Sequence, residues 1–422
     1  MENEQKTGYG DLEPIPARAE STTRAFERRR QKMKLGRKIG ASCLLFCLLP
    51  LLGGCWDRTE VNDLALIMAA GIDLTDNGSI ELSVQVFTPN QSSSEGNSGM
   101  MGGGAGSNTI VVQSAVGTDF ADAAAKLQEQ MPRKVFWGHG EVFIFGERMA
   151  KQGILNEIDF LFRHPQPREH AYVFVSKGKA KEIISINPRV ERDIAETLRE
   201  MAVLPYGMGI SLKELNEMLT GRSKAAVVPL IERKDEPKGN SYPYITGAAV
   251  LRGGKLAGQF DDKVKRDTML IRNKMKRTNV TFPVTGLQGG DDGVMTVKIT
   301  KCRTTLFPVI QGKRWSMMVR MEGEASVTQN TSRINVTKPQ ELRQVEKQLN
   351  REIGKRIKES FRLVQRETDA DVFGFADAFW RKYPLVWSRE QSRWNDIFQD
   401  VDIHAASNVK ILWPGFSGKS YK

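Results

Sequence analysis

Asp119-Phe120-Ala121-Asp122-Ala123-Ala124-Ala125-Lys126-Leu127-Gln128-Glu129-Gln130 has the composition of an amphipathic helix. Val135-Phe136-Trp137-Gly138-His139-Gly140-Glu141-Val142-Phe143-Ile144-Phe145 follows it as a strongly hydrophobic strand. Residues 110–114 read as a strand before this pair, and the order repeats after it with a helix at 148–162 and a strand at 171–176. Alternating strands and helices of these lengths predict a mixed α/β domain.

Upstream, residues 64–73 are apolar and β-compatible. Asp76-Asn77-Gly78 is a turn signal, and Ile80, Leu82, Val84 and Val86 alternate on one face of 80–87, which predicts a β-hairpin. Residues 91–108, with Ser92-Ser93-Ser94 and Gly102-Gly103-Gly104, hold too little apolar surface to pack and read as a flexible surface loop. They are not a phosphate-binding loop, since no Gly-Lys-Ser/Thr leads into a helix.

Downstream, helices are expected at 190–201 and 212–219 and a strand at 225–231. The polar run 232–240 is a candidate linker or exposed turn. Residues 245–251 and the turn Arg252-Gly253-Gly254-Lys255 are expected to open a second strand-rich region, with strands near 280–284, 294–299 and 315–327. A long helix over 339–367 carries Leu342, Val345, Leu349, Ile353, Ile357, Phe361 and Val364 at three- and four-residue intervals. This stripe should lie on a neighbouring sheet, a coiled-coil seam being its competing use. Thr337 and Gln340 have capping-box spacing. A helix near 373–382 and a strand near 401–412 close the chain. The expected architecture is α+β, mixed α/β and multidomain, with the long amphipathic helix packed on a sheet in the last domain.

The N-terminus is read separately. Arg28, Arg29, Arg30, Lys32, Lys34, Arg37 and Lys38 precede the apolar run 39–52, which ends in Leu52-Gly53-Gly54-Cys55. Basic, apolar and small residues in that order predict a lipoprotein signal cleaved after Gly54, leaving Cys55 to be acylated. At about fourteen residues the run falls short of the roughly 20 that a membrane span needs, and charged Asp57, Arg58 and Glu60 follow at once. An uncleaved anchor with an incidental cysteine is the competing reading. Met33 is the more usual signal start, so the polar stretch before it reads as a start-site misassignment or a cytoplasmic extension removed with the signal. Stable anchoring takes more than one acyl chain, which a diacylated Cys55 would supply.

The chain has 422 residues and a net charge of +12. Residues 1–54 carry ten Lys/Arg and six Asp/Glu, so the remainder stands at a mildly basic +8. That charge suits apposition to anionic headgroups. With no basic stripe interleaved with aromatics, nucleic acid is not an expected partner. Cys43 and Cys47 leave with the signal and Cys55 is acylated, so Cys302 stands alone in a β-like run, where a small buried hydrophobe is the expected role.

Catalytic patterns are absent from the sequence. His139, His164, His170 and His404 lack ligand spacing, and no cysteine pair completes a zinc site. His139 is expected to be a hydrogen-bonded structural residue inside its strand. Asp369 and Asp371 have the separation of an acid/base pair but fall between two helices, which points to capping. Trp387, Trp394, Phe398 and Trp413 are candidates for the core or for an interface. Neither an enzyme nor a cofactor is expected.

Several passages together carry a resemblance. Cys55-Trp56-Asp57-Arg58-Thr59-Glu60-Val61-Asn62-Asp63-Leu64-Ala65 resembles the mature start of the Ger(x)C spore germination lipoproteins, the C subunits of nutrient germinant receptors. Trp137-Gly138-His139, Ile144-Phe145-Gly146-Glu147, residues 153–162 with Arg168, and Val175-Ser176-Lys177-Gly178-Lys179-Ala180 agree with it. So do Gln365, Asp369-Ala370-Asp371-Val372-Phe373-Gly374-Phe375, Tyr383-Pro384, Trp387, Trp394 and Phe398. The resemblance implies three successive mixed α/β domains, set here at 55–195, 196–275 and 276–422 after the removed segment 1–54. It also implies a lipid-anchored subunit on the outer face of the spore inner membrane, working with membrane A and B subunits. An extracytoplasmic solute-binding lipoprotein is the alternative.

Overall fold

The computed structural model describes residues 60–88, 109–237, 239–275, 277–285, 293–413 and 415. Cys55 and the Gly/Ser-rich stretch 91–108 lie outside them. β1 (Leu64–Leu74) is buried over nearly its whole length because it is covered on both faces. As expected, it forms a hairpin with β2 (Ile80–Thr88), Leu74 opposite Ile80. Thr75 N donates to Ser79 O at 2.8 Å, and Gly78 takes φ +84° in the turn. β3 (Thr109–Gly117) pairs with β2, and α1 (Phe120–Glu129) follows, capped by the Asp119 carboxylate accepting from Asp122 N at 2.8 Å.

The strand expected at 135–145 is two strands, β4 (Lys134–Phe136) and β5 (Val142–Phe145), separated by a 3₁₀ turn at Trp137–His139. The break turns the Trp137 ring into the core against Phe120, with Trp137 N donating to Gln166 Oε1 at 3.0 Å. A Cβ on Gly138 would stand 2.4 Å from the tip of the half-buried Phe136 ring, which would have to move aside for any other residue there. The helix expected at 148–162 is likewise two, α2 (Glu147–Gln152) and α3 (Leu155–Arg163). Gly153 at φ +129° ends the first, and Ile154 N is drawn away to Gly254 O at 3.0 Å. After β6 (Tyr172–Ser176) comes a five-residue helix, α4 (Ala180–Ile184), too short to leave a periodic signature. The helix expected from 190 starts later, as α5 (Ile194–Val203), because Asp193 caps it. α6 (Leu212–Thr220) opens with a capping box between Ser211 and Glu214.

β7 (Ala225–Asp235) takes in the first four residues of the polar stretch 232–240, and the rest is the exposed turn of its hairpin with β8 (Ser241–Arg252), not a linker. Residues 245–251 do not open a second sheet. β8 and β9 (Lys255–Asp261) continue the first, whose order is β3-β2-β1-β5-β6-β7-β8-β9 with β4 beside β1. β1, β5, β6 and β7 are parallel neighbours, and antiparallel hairpins flank them. α4 and α5 cover one face, and α1, α2, α3 and α6 the other.

α7 (Asp262–Ile271) leads to a second sheet, β10 (Thr278–Pro283), β11 (Val294–Gln311), β12 (Arg314–Asn330) and β13 (Asp402–Trp413), in that order. β13 is parallel to β12, which requires a crossover. The crossover is α8 (Pro339–Thr368), α9 (Phe375–Lys382), α10 (Pro384–Glu390) and α11 (Trp394–Gln399). The predicted stripe of α8 is buried against this sheet from Val345 to Val364, Leu342 sitting at its margin. The capping box expected at Thr337 and Gln340 does not form. Lys338 is the N-cap, and the Glu341 carboxylate instead accepts from Asn335 N at 2.5 Å. α10 and α11 have no counterpart in the sequence reading. One continuous apolar cluster runs from Leu82 and Phe145 through Phe260 and Leu270 to Phe361 and Phe398, joining both sheets.

Candidate functional site

The chain enters the described body at Val61–Asp63, a 3₁₀ turn, and at Leu64, the first residue of β1. The N-terminal ends of the parallel strands therefore lie on the side of Leu64, where the chain enters β1. Ala69, Val142 and Tyr172 stand at one level across β1, β5 and β6. α5 crosses the sheet at that level, since Ala195 N lies 3.4 Å from Gln85 Oε1 and Gln85 pairs with Ala69. Its C-terminus turns back through Leu204-Pro205-Tyr206-Gly207, and the chain then bridges to Tyr172 through Ser211.

The opposite ends of the same strands are closed. Open α/β sheets bind ligands in the crevice beyond the carboxyl ends of their strands. Here the Asp73 carboxylate fills that position, accepting from Ala180 N at 2.8 Å and Lys181 N at 2.9 Å. Gly146 N donates to Ile72 O and Glu147 N to Gly178 O, both at 2.9 Å. A Cβ on Gly146 would fall 1.9 Å from Asp73 Oδ1. The passages Ile144-Phe145-Gly146-Glu147 and Val175–Ala180 thus meet around one buried carboxylate. Burial raises its pKa, against the pull of the two backbone N–H groups.

The C-terminal passage builds a similar knot. Asp371 is buried and accepts from Phe373 N, Gly374 N and Phe375 N at 3.1 Å and from Ala376 N at 2.7 Å, so it caps α9 as expected. Asp369 ends α8 in the left-handed conformation at φ +49°. The Asp369 carboxylate lies 3.5 Å from Arg252 Nη1, so the two carboxylates do not act as a pair. Gln365 Nε2 donates to Phe398 O at 2.7 Å and Val401 O at 3.0 Å, and Phe361 contacts Phe373, Phe375 and Phe398. Trp387, Trp394 and Phe398 are core, and Trp413 is exposed.

The remaining candidates stay apart. His139 sits on the exposed corner of its 3₁₀ turn, its ring 5.9 Å from that of Phe136, and not inside a strand. His164 packs on Phe160, and burial lowers its pKa. His404 lies 3.3 Å from Asp402 on β13, and His170 is exposed. Among the described residues no three His, Cys, Asp or Glu side chains converge as a metal site. Cys302 is half-buried with Sγ 3.0 Å from Met275 O, and burial pushes its thiol up to about 11, which leaves it unreactive.

Two of the clefts among the described residues are large enough to hold a small molecule. One, of about 660 Å³, lies between the β1–β2 turn, the start of α1 and the α2–α3 junction. Glu157 lines it, and burial raises the pKa of that carboxyl. The other, of about 530 Å³, lies where α6, the end of α7, β11 and α9 meet. Two ion pairs form in its lining. Arg222 pairs with Asp377 at 2.8 Å and stacks on Trp380, Lys274 pairs with Glu214 at 2.7 Å, and Arg272 donates to Val372 O at 2.6 Å. In the first cleft the Thr118 hydroxyl donates to the Asp122 carboxylate at 3.2 Å, beside the Asp119 cap of α1.

With this geometry in place, the comparisons give one answer. Residues 57–233 match the model of the spore germination protein N-terminal domain, and residues 246–415 that of the spore germination B3/GerAC-like C-terminal domain. Spore germination protein KC of Bacillus subtilis (strain 168) is 27% identical over 397 residues, covering 87% of this chain and 95% of that one. Spore germination protein YndF of the same organism is 23% identical over 407 residues, covering 90% and 98%. The crystal structure of the GerBC protein shares the fold, with a TM-score of 0.52 at 16% identity over 81% of this chain and 96% of that one.

Proposed function

The chain belongs to the spore germination family defined by these N- and C-terminal domains, and from that premise we propose that it is the lipid-anchored C subunit of a nutrient germinant receptor. Cys55 carries the anchor after cleavage behind Gly54. The body sits on the outer face of the spore inner membrane and stabilises or couples the membrane A and B subunits, without catalysing a reaction. The observation that carries this reading is the order of the matches. The N-terminal match begins at residue 57, two residues after Cys55, and the C-terminal match follows it from residue 246 to residue 415. The plugged strand ends around Asp73 agree with a scaffold role. The division at 55–195, 196–275 and 276–422 belongs to the same proposal, the change of sheet after α7 supporting its second boundary.

Spores carrying Cys55→Ala are compared with a deletion strain and with a nutrient-independent trigger, reading dipicolinate release. Loss of only the nutrient response, with the subunit missing from the inner-membrane fraction, is expected. A normal nutrient response in the deletion, in a strain without a redundant receptor, overturns the proposal. Direct binding of a germinant to the purified body would favour the solute-binding alternative.

A further inference from the structure

Val203, Leu204, Pro205 and Tyr206 are four consecutive exposed residues of apolar character, Val203 being 53%, Leu204 55% and Tyr206 41% exposed. They are not a loose end. Leu204 N donates to Glu200 O at 3.2 Å and Gly207 N to Leu204 O at 2.8 Å, which fixes a turn with Pro205 at its second position. Gly207 folds back so closely that a Cβ there would stand 2.2 Å from Met201 O. Neighbouring Ala202 and Met208 are buried and hold the turn from both sides. A rigid apolar projection costs little order on binding, and water gives it no partner.

Its position names the occupant. The base of the turn meets Tyr172, the first residue of β6, through Gly209, where a Cβ would stand 3.0 Å from both Ala202 O and the Tyr172 ring, at the end of the parallel strands where the chain enters β1. From Leu64 to the level of Ala69 is a rise of roughly 17 Å, and two strand spacings across to β6 add about 10 Å sideways, so the direct separation is roughly 20 Å. The nine residues from Cys55 to Leu64 span up to about 30 Å when extended, so a lipid on Cys55 and this turn can reach one bilayer surface. Arg168 and Lys213, exposed and outside any ion pair, flank the start of α6 beside it, with Glu169 between them.

We infer that Val203–Tyr206 is a second membrane contact, the apolar tip entering the headgroup–acyl boundary with Tyr206 at the interface and Arg168 and Lys213 facing lipid phosphates. The inference orients the anchored subunit and so rests on the Cys55 reading, but its test does not. The apolar core closes within the described residues, so residues 56–422 can be purified without the anchor and floated with vesicles of phosphatidylcholine alone or with 30% phosphatidylglycerol. The wild-type body should float, more with the anionic lipid, and Leu204→Ser/Tyr206→Ser should lower the partition coefficient about tenfold in both with an unchanged thermal midpoint. Leu385→Ser, at an exposed apolar residue of α10, should change nothing. Absence of flotation by the wild type, which would leave a protein partner as the occupant, overturns the inference. So does equal flotation of the double variant, or an equal loss from Leu385→Ser. Mass spectrometry of Cys55 in the full chain tests the anchor separately, and an unmodified cysteine there leaves the flotation result standing.

Discussion

Gly146 and Asp73 show what single residues do here. The carboxylate satisfies two N–H groups at the start of α4 only because the facing residue has no side chain. Gly146→Ala is expected to push it away and leave those donors buried and unpaired, at a cost of about 3 kcal/mol or more, read by urea denaturation; a loss under 1 kcal/mol would show that the knot relaxes freely. The family-like passages around Gly146 and Ala180 were legible in the sequence. Their reason was not, because Asp73 lies 107 residues from the amide it accepts. Asp371 was legible as a cap, since its donors follow within five residues. Cys302 gives a test in pH. A thiol pushed up to about 11 holds roughly 0.1% thiolate at pH 8, against about 24% for an ordinary cysteine. Allowing for the higher nucleophilicity of the more basic thiolate, labelling of the body by a disulfide reagent should run about 20-fold slower than that of a free cysteine. Because only the thiolate reacts, the rate should climb about tenfold per pH unit until it levels near pH 11; a plateau by pH 9 would contradict the burial.

Among the elements, α8 was the most legible, because its stripe repeats over many turns and the helix period declares itself. Leu349 and Phe361 are fully buried in it. Leu349→Ala should cost about 2–5 kcal/mol and Phe361→Ala about 3–5 kcal/mol, whereas Lys355→Ala on the exposed side should stay within roughly 0.5 kcal/mol. Gly354 runs the other way. It is an interior helical residue whose added Cβ would meet only Ala405 O, at 3.5 Å. Gly354→Ala should therefore stabilise by about 0.5–1 kcal/mol through helix propensity, and a destabilised protein in thermal melts would mean that β13 sits closer than this. The elements misread were those in which a tertiary contact overrules a local pattern. The hydrophobic run 135–145 carries no polar break, so only the burial of Trp137 reveals the corner. The joint at Gly153 depends on Gly254 O, a hundred residues away. The short crossover helices α10 and α11 leave too few turns to establish a period.

At the scale of the molecule the sequence showed two strand-rich regions, but it did not show where one sheet ends. β7 joins β6 in parallel by pairing Val175 with Leu230, and nothing local to either strand announces that partner, so the strands from residue 245 looked like a new beginning. The join between the two sheets is built as interior. α7 packs on β8 and on α8, and Asp267, 1% exposed, receives Arg356 Nη2 at 2.8 Å and Ser360 Oγ at 2.7 Å. Burial raises the Asp267 pKa while the Arg356 charge opposes it, so removing that cation leaves a buried carboxylate with one hydroxyl partner. Breaking a buried pair from one side costs about 3–5 kcal/mol. Since the apolar cluster passes through this join without interruption, the cost should be borne by the whole body. Residues 56–422 are expected to unfold in one transition by near-ultraviolet circular dichroism and tryptophan fluorescence, and Arg356→Ala should move that transition intact to lower denaturant. Trp137 reports on the first sheet and Trp315, Trp387 and Trp394 on the second, so retaining one at a time separates the halves. Two transitions, with the substitution displacing only the one that Trp315, Trp387 and Trp394 report, would mean that residues 276–422 unfold on their own; a single displaced transition means that the two sheets fold as one cooperative unit across this join.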